Sequence, residues 1–331
     1  TEPDLLTPLE VQAGAHLVAE TTRASRRVRR GAGAARQDVN VSVAGGRRVE
    51  IKGVYHHRHL PRLVHVEAFR QLHLLRLRAA LQERGMTPQS FALPDGTPWE
   101  VSPWVVDVTS LLHQTGADAL RRALERGDHA VALRLPDLAG ILTRPTQPGL
   151  SFAHEVAERM RVIACLTSRP FMTHAEAPES LLQESEWRQV RRALGARADD
   201  ALMLVWGPET DCATAAKEVF LRLGEACVGI PSETRQAHAD GTTGFERILP
   251  GPDRMYPDTD TPPLPIPDAW IEASRAQLRL RPWEKEEALQ QRGLDAPTAS
   301  RLALAPWYEL FVTLSPATPA VARRLAHALE K

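Results

Sequence analysis

Two acids stand in two short alternating runs of this 331-residue chain: Asp38 in Asp38-Val39-Asn40-Val41-Ser42-Val43 and Glu50 in Arg47-Arg48-Val49-Glu50-Ile51-Lys52. Alternation of apolar and polar residues is the signature of a half-buried strand, and the intervening Gly45-Gly46 supplies the positive φ angles of a tight turn. The segment therefore reads as a hairpin with one acid on each arm. Two carboxylates on paired strands can hold one hard divalent cation, the kind of ion that neutralises a nucleotide's phosphates in phosphoryl transfer. The same spacing also fits two ordinary surface acids on a hairpin.

The basic residues are distributed unevenly. Lys and Arg together balance Asp and Glu at 41 each, which argues against a protein coated in nucleic acid. Yet the stretch from Thr21 to Arg36 holds six arginines, Arg23, Arg26, Arg27, Arg29, Arg30 and Arg36, and no acid. The planar guanidinium fork suits phosphate oxygens better than a lysine's point charge. Only four of the 41 basic residues are lysine, a ratio that a GC-rich genome would explain, although it would not explain the local cluster. A solvated charged face is the alternative for any one of these side chains. The three cysteines, Cys165, Cys212 and Cys227, are widely spaced with no C-x-x-C pattern, and read as buried or neutral thiols.

The elements that must position these groups can be read from periodicity. An amphipathic helix is expected over Pro8 to Arg23, with Leu9, Val11, Ala15, Val18 and Ala19 on one face. After the hairpin, Pro61 to Arg84 repeats Leu63, Val66, Phe69, Leu72, Leu75 and Leu81 and stops at Gly85. His56, His57 and His59 read as a polar loop. Between 87 and 229 the strand-like runs Trp104–Val108, His129–Leu135, Val162–Leu166 and Ala201–Trp206 alternate with helical stretches near Gly116–Arg126, Phe152–Arg161, Glu184–Leu194 and Thr210–Cys227. Such alternation predicts an α+β layer with helices covering one sheet, its acids scattered on helical faces, and His154 and His174 at the surface or in caps. Asp240-Gly241 marks a turn, and Pro250, Pro252, Pro257, Pro262 and Pro263 predict an irregular, proline-stiffened arm. In that arm Arg247 and Arg254 are candidate phosphate contacts, and Asp258 and Asp260 could bind a cation or orient those arginines. Short helices follow, near Glu284–Gln291, Ala296–Ala305 and Pro319–Leu329.

Three separated blocks, Thr1-Glu2-Pro3-Asp4, the hairpin, and Asp240-Gly241-Thr242-Thr243 through Arg254-Met255-Tyr256-Pro257-Asp258-Thr259-Asp260-Thr261-Pro262-Pro263, together resemble the GatB/GatE family of tRNA-dependent amidotransferase subunits. The Met-Tyr-Pro-Asp-Thr-Asp form and the long insertion are closer to the GatE branch, from the archaeal-type glutamyl-tRNA(Gln) amidotransferase, than to GatB. From Leu133-Arg134-Leu135-Pro136 onward the insertion is similar to the GAD domain that GatE shares with bacterial-type aspartyl-tRNA synthetases.

The resemblance implies an α+β fold. Residues 1–86 would be the C-terminal portion of a cradle domain, 87–229 a GAD-like insertion, 230–266 the return to the cradle, and 267–331 the start of a helical domain. Thr1 would fall within the cradle, so the chain reads as a fragment whose missing half brings a His and further carboxylates to the metal site. The implied activity is ATP- and Mg²⁺-dependent phosphorylation of the glutamate on tRNA(Gln), followed by amidation with ammonia from a GatD-type amidohydrolase partner. Asp38 and Glu50 would then be metal ligands, and Lys52 and Arg36 ATP or phosphate contacts. Arg26, Arg27, Arg29, Arg30, Arg247 and Arg254 would be candidate tRNA contacts; no catalytic residue is assigned. The alternatives are a non-catalytic tRNA-binding cradle protein and a GatB-type subunit. No apolar run approaches the roughly 20 residues of a membrane span and no signal segment is visible, so cytoplasmic residence is expected.

Overall fold

A computed structural model describes residues 4–29, 31, 34–54, 56–249, 263–314 and 316–330. In chain order the helices are α1 (Pro8–Ala24), α2 (Leu60–Glu83), α3 (Pro98–Val101), α4 (Asp118–Glu125), α5 (Phe152–Ile163), α6 (Glu184–Ala193), α7 (Glu209–Val228), α8 (Asp268–Ala276), α9 (Pro282–Gln291), α10 (Ala296–Leu304), α11 (Tyr308–Leu314) and α12 (Pro319–Glu330). The strands are β1 (Val39–Val41), β2 (Val49–Lys52), β3 (Val105–Asp107), β4 (His129–Leu135), β5 (Pro145–Gln147), β6 (Leu150–Ser151), β7 (Met172–His174), β8 (Ala201–Gly207), β9 (Glu233–Ala237) and β10 (Thr243–Ile248). The described chain forms two compact units, 37–249 and 1–36 with 250–331.

Unit 37–249 contains two four-stranded sheets and a small β5-β6 ribbon. The first sheet has the order β1-β2-β9-β10. The expected hairpin is present, with Val39 opposite Ile51, Asn40 opposite Glu50 and Val41 opposite Val49. Of the two turn glycines only Gly45 has a positive φ, +74°. Gly46 is required for a different reason: a Cβ there would come within 2.8 Å of Gln71 Oε1 and Ile230 Cδ1. The second pair, β9 and β10, is a hairpin where an irregular arm was expected; Asp240 Oδ1 accepts from the Thr242 N–H (2.9 Å) and hydroxyl (2.7 Å) in its turn. The prolines of 250–262 that suggested the arm, with Arg254, Asp258 and Asp260, lie outside the described residues.

The second sheet, β3-β4-β8-β7, is covered on both faces rather than one. Along β8, Ala201, Met203 and Val205 join the core beneath α5 and α7, whereas Leu202, Leu204 and Trp206 join a second core with Leu120 of α4 and Trp187 and Val190 of α6. Double coverage is why β8 is an unbroken apolar run without alternation. The run Val162–Leu166, expected as a strand, is instead the end of α5 and the loop after it. Val156, Met160 and Ala164 are buried four residues apart, and a short apolar run alone does not distinguish strand from helix.

Helix α2 buries a different face from the one its apolar residues suggest. Phe69 and Leu72 are exposed, while Glu67, Arg70 and Gln71 are buried alongside Leu63, Val66, Leu74, Leu77 and Leu81. These inward polar groups meet partners from four other elements. Arg70 Nε and Nη2 donate to Glu155 of α5 at 2.8 and 2.9 Å, Nη1 to Glu67 at 2.9 Å and Nη2 also to Glu233 of β9 at 2.5 Å. Arg235 of β9 donates to Glu233 (2.5 Å), to Glu155 (3.2 Å), and to the Thr243 hydroxyl and carbonyl of β10, both at 2.7 Å. Burial works against the charged form of Glu155, but Arg235 and Arg70 outweigh it and hold the carboxyl well below the usual carboxylate range. Arg222 of α7, fully buried over the Phe152 ring, has its pKa lowered by burial, which Glu155 and Glu233 only partly offset.

In the other unit, α9 to α12 bury Leu289, Leu302, Phe311, Ala322 and Ala326 together. Helix α1 begins with a capping box, Glu10 N–H to Thr7 Oγ1 (3.2 Å) and Thr7 N–H to Glu10 Oε2 (3.0 Å), but buries none of its residues, so its expected apolar face is uncovered by neighbours.

Removing one member of a buried ion network strands its partners, which costs about 3–5 kcal/mol. Arg235→Met should lower stability by that order in urea unfolding; a loss under about 1 kcal/mol would show that the network does not hold the fold. The depressed Glu155 carboxyl contributes stability that is fully present above its ordinary value of 4.5 and is lost as pH falls below it. Acid unfolding of the parent should therefore depend more steeply on pH below 4.5 than that of Glu155→Gln.

Candidate functional site

Alternation in the first sheet divides its residues between two environments. Val39, Val41, Val49 and Ile51 are buried, which turns Asp38, Asn40, Glu50 and Lys52 to the opposite face. Strand β9 continues this arrangement because it pairs in parallel with β2, Glu50 opposite Thr234 and Lys52 opposite Gln236. Its Glu233 and Arg235 enter the buried network, and Thr234 and Gln236 fall on the face of Glu50 and Lys52. The Thr234 hydroxyl donates to Glu246 of β10 at 2.9 Å.

On that face Lys52 Nζ stands 3.3 Å from Glu50 Oε1 and 3.8 Å from Asp38 Oδ2. Asp38 Oδ1 also accepts from the Gly53 N–H at 3.5 Å. The side chains of Lys52, Glu50 and Asp38 are 14%, 20% and 30% exposed, so the cluster is partly screened yet open to a ligand. One ammonium between two carboxylates leaves a net negative charge on a platform of hard oxygen donors. Mg²⁺ is commonly held by one or two carboxylates, with waters and substrate phosphates completing its shell, and this donor set fits that habit. Among the described residues no third His, Cys, Asp or Glu joins the pair to form a metal-binding group.

The other residues singled out by sequence do not gather at this cluster. Arg247 is exposed on β10 at the bulge opposite Thr234. Arg26, Arg27, Arg29 and Arg36 are exposed and belong to the unit formed by 1–36 and 250–331, where Arg26 Nη2 donates to the Ala305 carbonyl at 3.0 Å. Arg30, like Arg254, lies outside the described residues. Cys212 and Cys227 are buried; burial, then Asp128, Asp211 and Asp107, push the Cys212 thiol up to about 12, which makes it a poor nucleophile. Cys165 is exposed, contrary to expectation. His154 is a capping residue, its Nδ1 accepting from the Ser151 N–H at 3.1 Å, whereas His174 is buried rather than at the surface.

Sequence reasoning missed the neighbours that β9 and β10 bring to the cluster, Thr234, Gln236 and Glu246. The available signal was the run Glu233-Thr234-Arg235-Gln236, whose alternation is of charge against polarity rather than of apolar against polar residues.

The family described as the GatB/GatE catalytic domain matches residues 1–272, which include the whole first sheet and the Asp38, Glu50 and Lys52 cluster. The chain belongs to the GatB/GatE family. It is 36% identical over 316 residues to the E subunit of glutamyl-tRNA(Gln) amidotransferase from Pyrococcus horikoshii, covering 95% of this chain and 47% of that protein. It is 39% identical over 293 residues to the protein of the same name from Methanopyrus kandleri, covering 88% and 44%. With that of Methanocaldococcus jannaschii the identity is 34% over 316 residues, covering 95% and 48%. The chain thus spans about half the length of these relatives. In this GatB/GatE catalytic domain the paired acids lie on one sheet face and the buried ion network lies behind it.

The Lys52 cluster can be tested by a double-mutant cycle. Lys52→Met, which leaves two carboxylates facing each other, should cost on the order of 1 kcal/mol in chemical unfolding, and adding Glu50→Gln should recover part of it. Strictly additive effects would mean that the ammonium and the carboxylate do not interact.

Proposed function

We propose that this chain is part of an E-type subunit of a tRNA-dependent amidotransferase, which phosphorylates the γ-carboxylate of glutamate on tRNA(Gln) with ATP so that ammonia can displace the phosphate and leave glutaminyl-tRNA. The observation that carries this reading is the Asp38-Lys52-Glu50 cluster on an open sheet face inside the matched family domain. A carboxylate is a poor electrophile, and an acyl phosphate supplies the leaving group it lacks.

In this reading Asp38 and Glu50 would hold Mg²⁺, and Lys52 would meet phosphate oxygens. The ion, when bound, would neutralise charge on the phosphates and polarise the transferring group. Lys52 contributes a fixed positive charge on the same face, held by the two carboxylates when no phosphate is present. The sheet contributes rigidity: both acids and the lysine are on paired strands whose opposite face is packed, so little reorganisation is needed as charge develops.

Ammonia would come from a separate amidohydrolase subunit of GatD type, in keeping with the inert thiols of Cys212 and Cys227. Exposed Arg27, Arg29, Arg36 and Arg247 would contact phosphates of ATP or tRNA, with Arg26 tied at one end to the helical unit. Residues 1–86 and 230–266 would form the cradle, 87–229 a GAD-like insertion with its own doubly covered sheet, and 267–331 the beginning of a helical domain. The setting would be cytoplasmic; among the described residues no helix is long and apolar enough to cross a membrane.

Glu50→Gln in the complex assembled with its ammonia-supplying partner should lower ATP-dependent phosphate transfer to glutamyl-tRNA by about 10²-fold or more, while tRNA affinity stays within a few-fold. The readouts are labelled γ-phosphate release and a tRNA binding titration. Undiminished transfer would remove Glu50 from the metal site, and a parallel collapse of tRNA binding would make the hairpin an RNA-contacting element instead.

A further inference from the structure

A cavity of about 530 Å³ opens beside the β5-β6 ribbon and the start of α5, away from the cluster of Asp38, Glu50 and Lys52. His174, at the end of edge strand β7, lines it and is only 6% exposed. Its Nδ1 is buried with no hydrogen-bond partner, an unusual state for a polar atom in a folded protein. The rest of the wall is chemically mixed. Pro145 and Pro178 offer rigid apolar surfaces, His154 an exposed ring whose Nδ1 is already engaged by Ser151, and Glu179 a carboxylate at the rim.

These groups discriminate among ligand charges. Burial, and then the neighbouring His154, push the His174 imidazole down to about 4, so at neutral pH it carries one N–H donor and one lone pair and no charge. A phosphate or carboxylate would find no cation among these groups and would be repelled by Glu179. A metal ion would lack a donor set, since among the described residues no three metal-binding side chains gather. A flat, uncharged heterocycle with donors and acceptors on its edge avoids both penalties: proline and histidine surfaces can cover its faces while the imidazole and the carboxylate pair with its edge. Recognition of unpaired nucleotides follows this pattern of stacking and edge hydrogen bonding, and the volume lies within the range of small-ligand sites.

We propose that this cavity is a nucleobase-binding site, taking the uncharged base of a nucleoside or of an unpaired RNA nucleotide against His174 and Glu179. That RNA would be the source rests on the amidotransferase reading; that a base binds does not.

The test uses adenosine, guanosine, cytidine and uridine, which carry no phosphate, titrated against the full chain by calorimetry and saturation-transfer NMR. At least one should bind with a Kd on the order of 1 mM. Ala177→Trp, which fills the cavity from its wall, should abolish that binding, and His174→Gln should weaken it about tenfold, with thermal melting reporting that both variants are folded. Displacement of the nucleoside by tRNA identifies RNA as the source, and binding that tRNA does not displace identifies a free nucleoside. The proposal is overturned if no nucleoside binds, if Ala177→Trp binds as the parent does, or if inorganic phosphate or methylammonium displaces the base. Loss of binding in Glu50→Gln but not in Ala177→Trp would place the base on the sheet face and also overturn it. Phosphate transfer to glutamyl-tRNA is measured separately, so failure here is distinguishable from failure of the amidotransferase reading.

Discussion

The contact of Arg70 and Arg235 with Glu155 and Glu233 joins parts of the chain that have little else to fix their register. Strand β9 meets β2 over three residue pairs, and no turn connects the two strands. Register between such short strands is set by what their faces bury, and a slip of one residue would turn every side chain to the other face. On β9 the inward residues are ions, each satisfied by specific partners on α2, α5 and β10. A hydrophobic contact would tolerate sliding; hydrogen bonds at 2.5 to 3.2 Å with a planar guanidinium do not.

The outer face of the sheet depends on this. Thr234 and Gln236 alternate with the two ions, so the groups that hold β9 in place also decide which polar side chains stand beside Glu50 and Lys52. Buried charge on one side of a strand thus specifies geometry on the other. The desolvation cost is offset by pairing: burial opposes the charged state of Arg70 as well, but Glu155, Glu67 and Glu233 raise its pKa well above the ordinary value. Arg222 is the exception, with both terminal nitrogens buried and without hydrogen-bond partners, and its contribution is made through the charge of Glu155 and the face of Phe152.

What could be read from sequence followed the strength of local signals. The β1-β2 hairpin was legible because its alternation is clean and Gly45 marks the turn, and β4, β8 and α7 were legible as long apolar segments. The inward face of α2 was misread because Glu67, Arg70 and Gln71 occupy core positions, where apolar counting selects Phe69 and Leu72 instead. The strands β9 and β10 were hidden for the same reason, their inward residues being charged or small and polar, and β7 was too short to show a period. The acids of the candidate site were visible as residue types, but the proximity of Lys52 to both and the approach of Thr234 and Gln236 come from pairing across distant segments. Charged residues at positions where the helical period demands apolar ones were the unread signal of the ion network.

The parallel pairing of β2 with β9 also has a consequence for how the protein is made. The partners Glu50 and Thr234 are separated by most of unit 37–249, so their contact carries a high loop-closure cost and belongs to the slow, non-local class of folding events. During vectorial synthesis the β1-β2 hairpin emerges first and, as an isolated two-stranded ribbon, is only marginally stable. Helix α5 brings Glu155 to Arg70 later, and β9 arrives only after the whole second sheet and α7 have been made. The acids are therefore held on a rigid platform only at the end of this sequence, and a nascent chain interrupted before β9 presents them on a frayed hairpin, with Arg70 and Glu155 still awaiting the strand that completes their network.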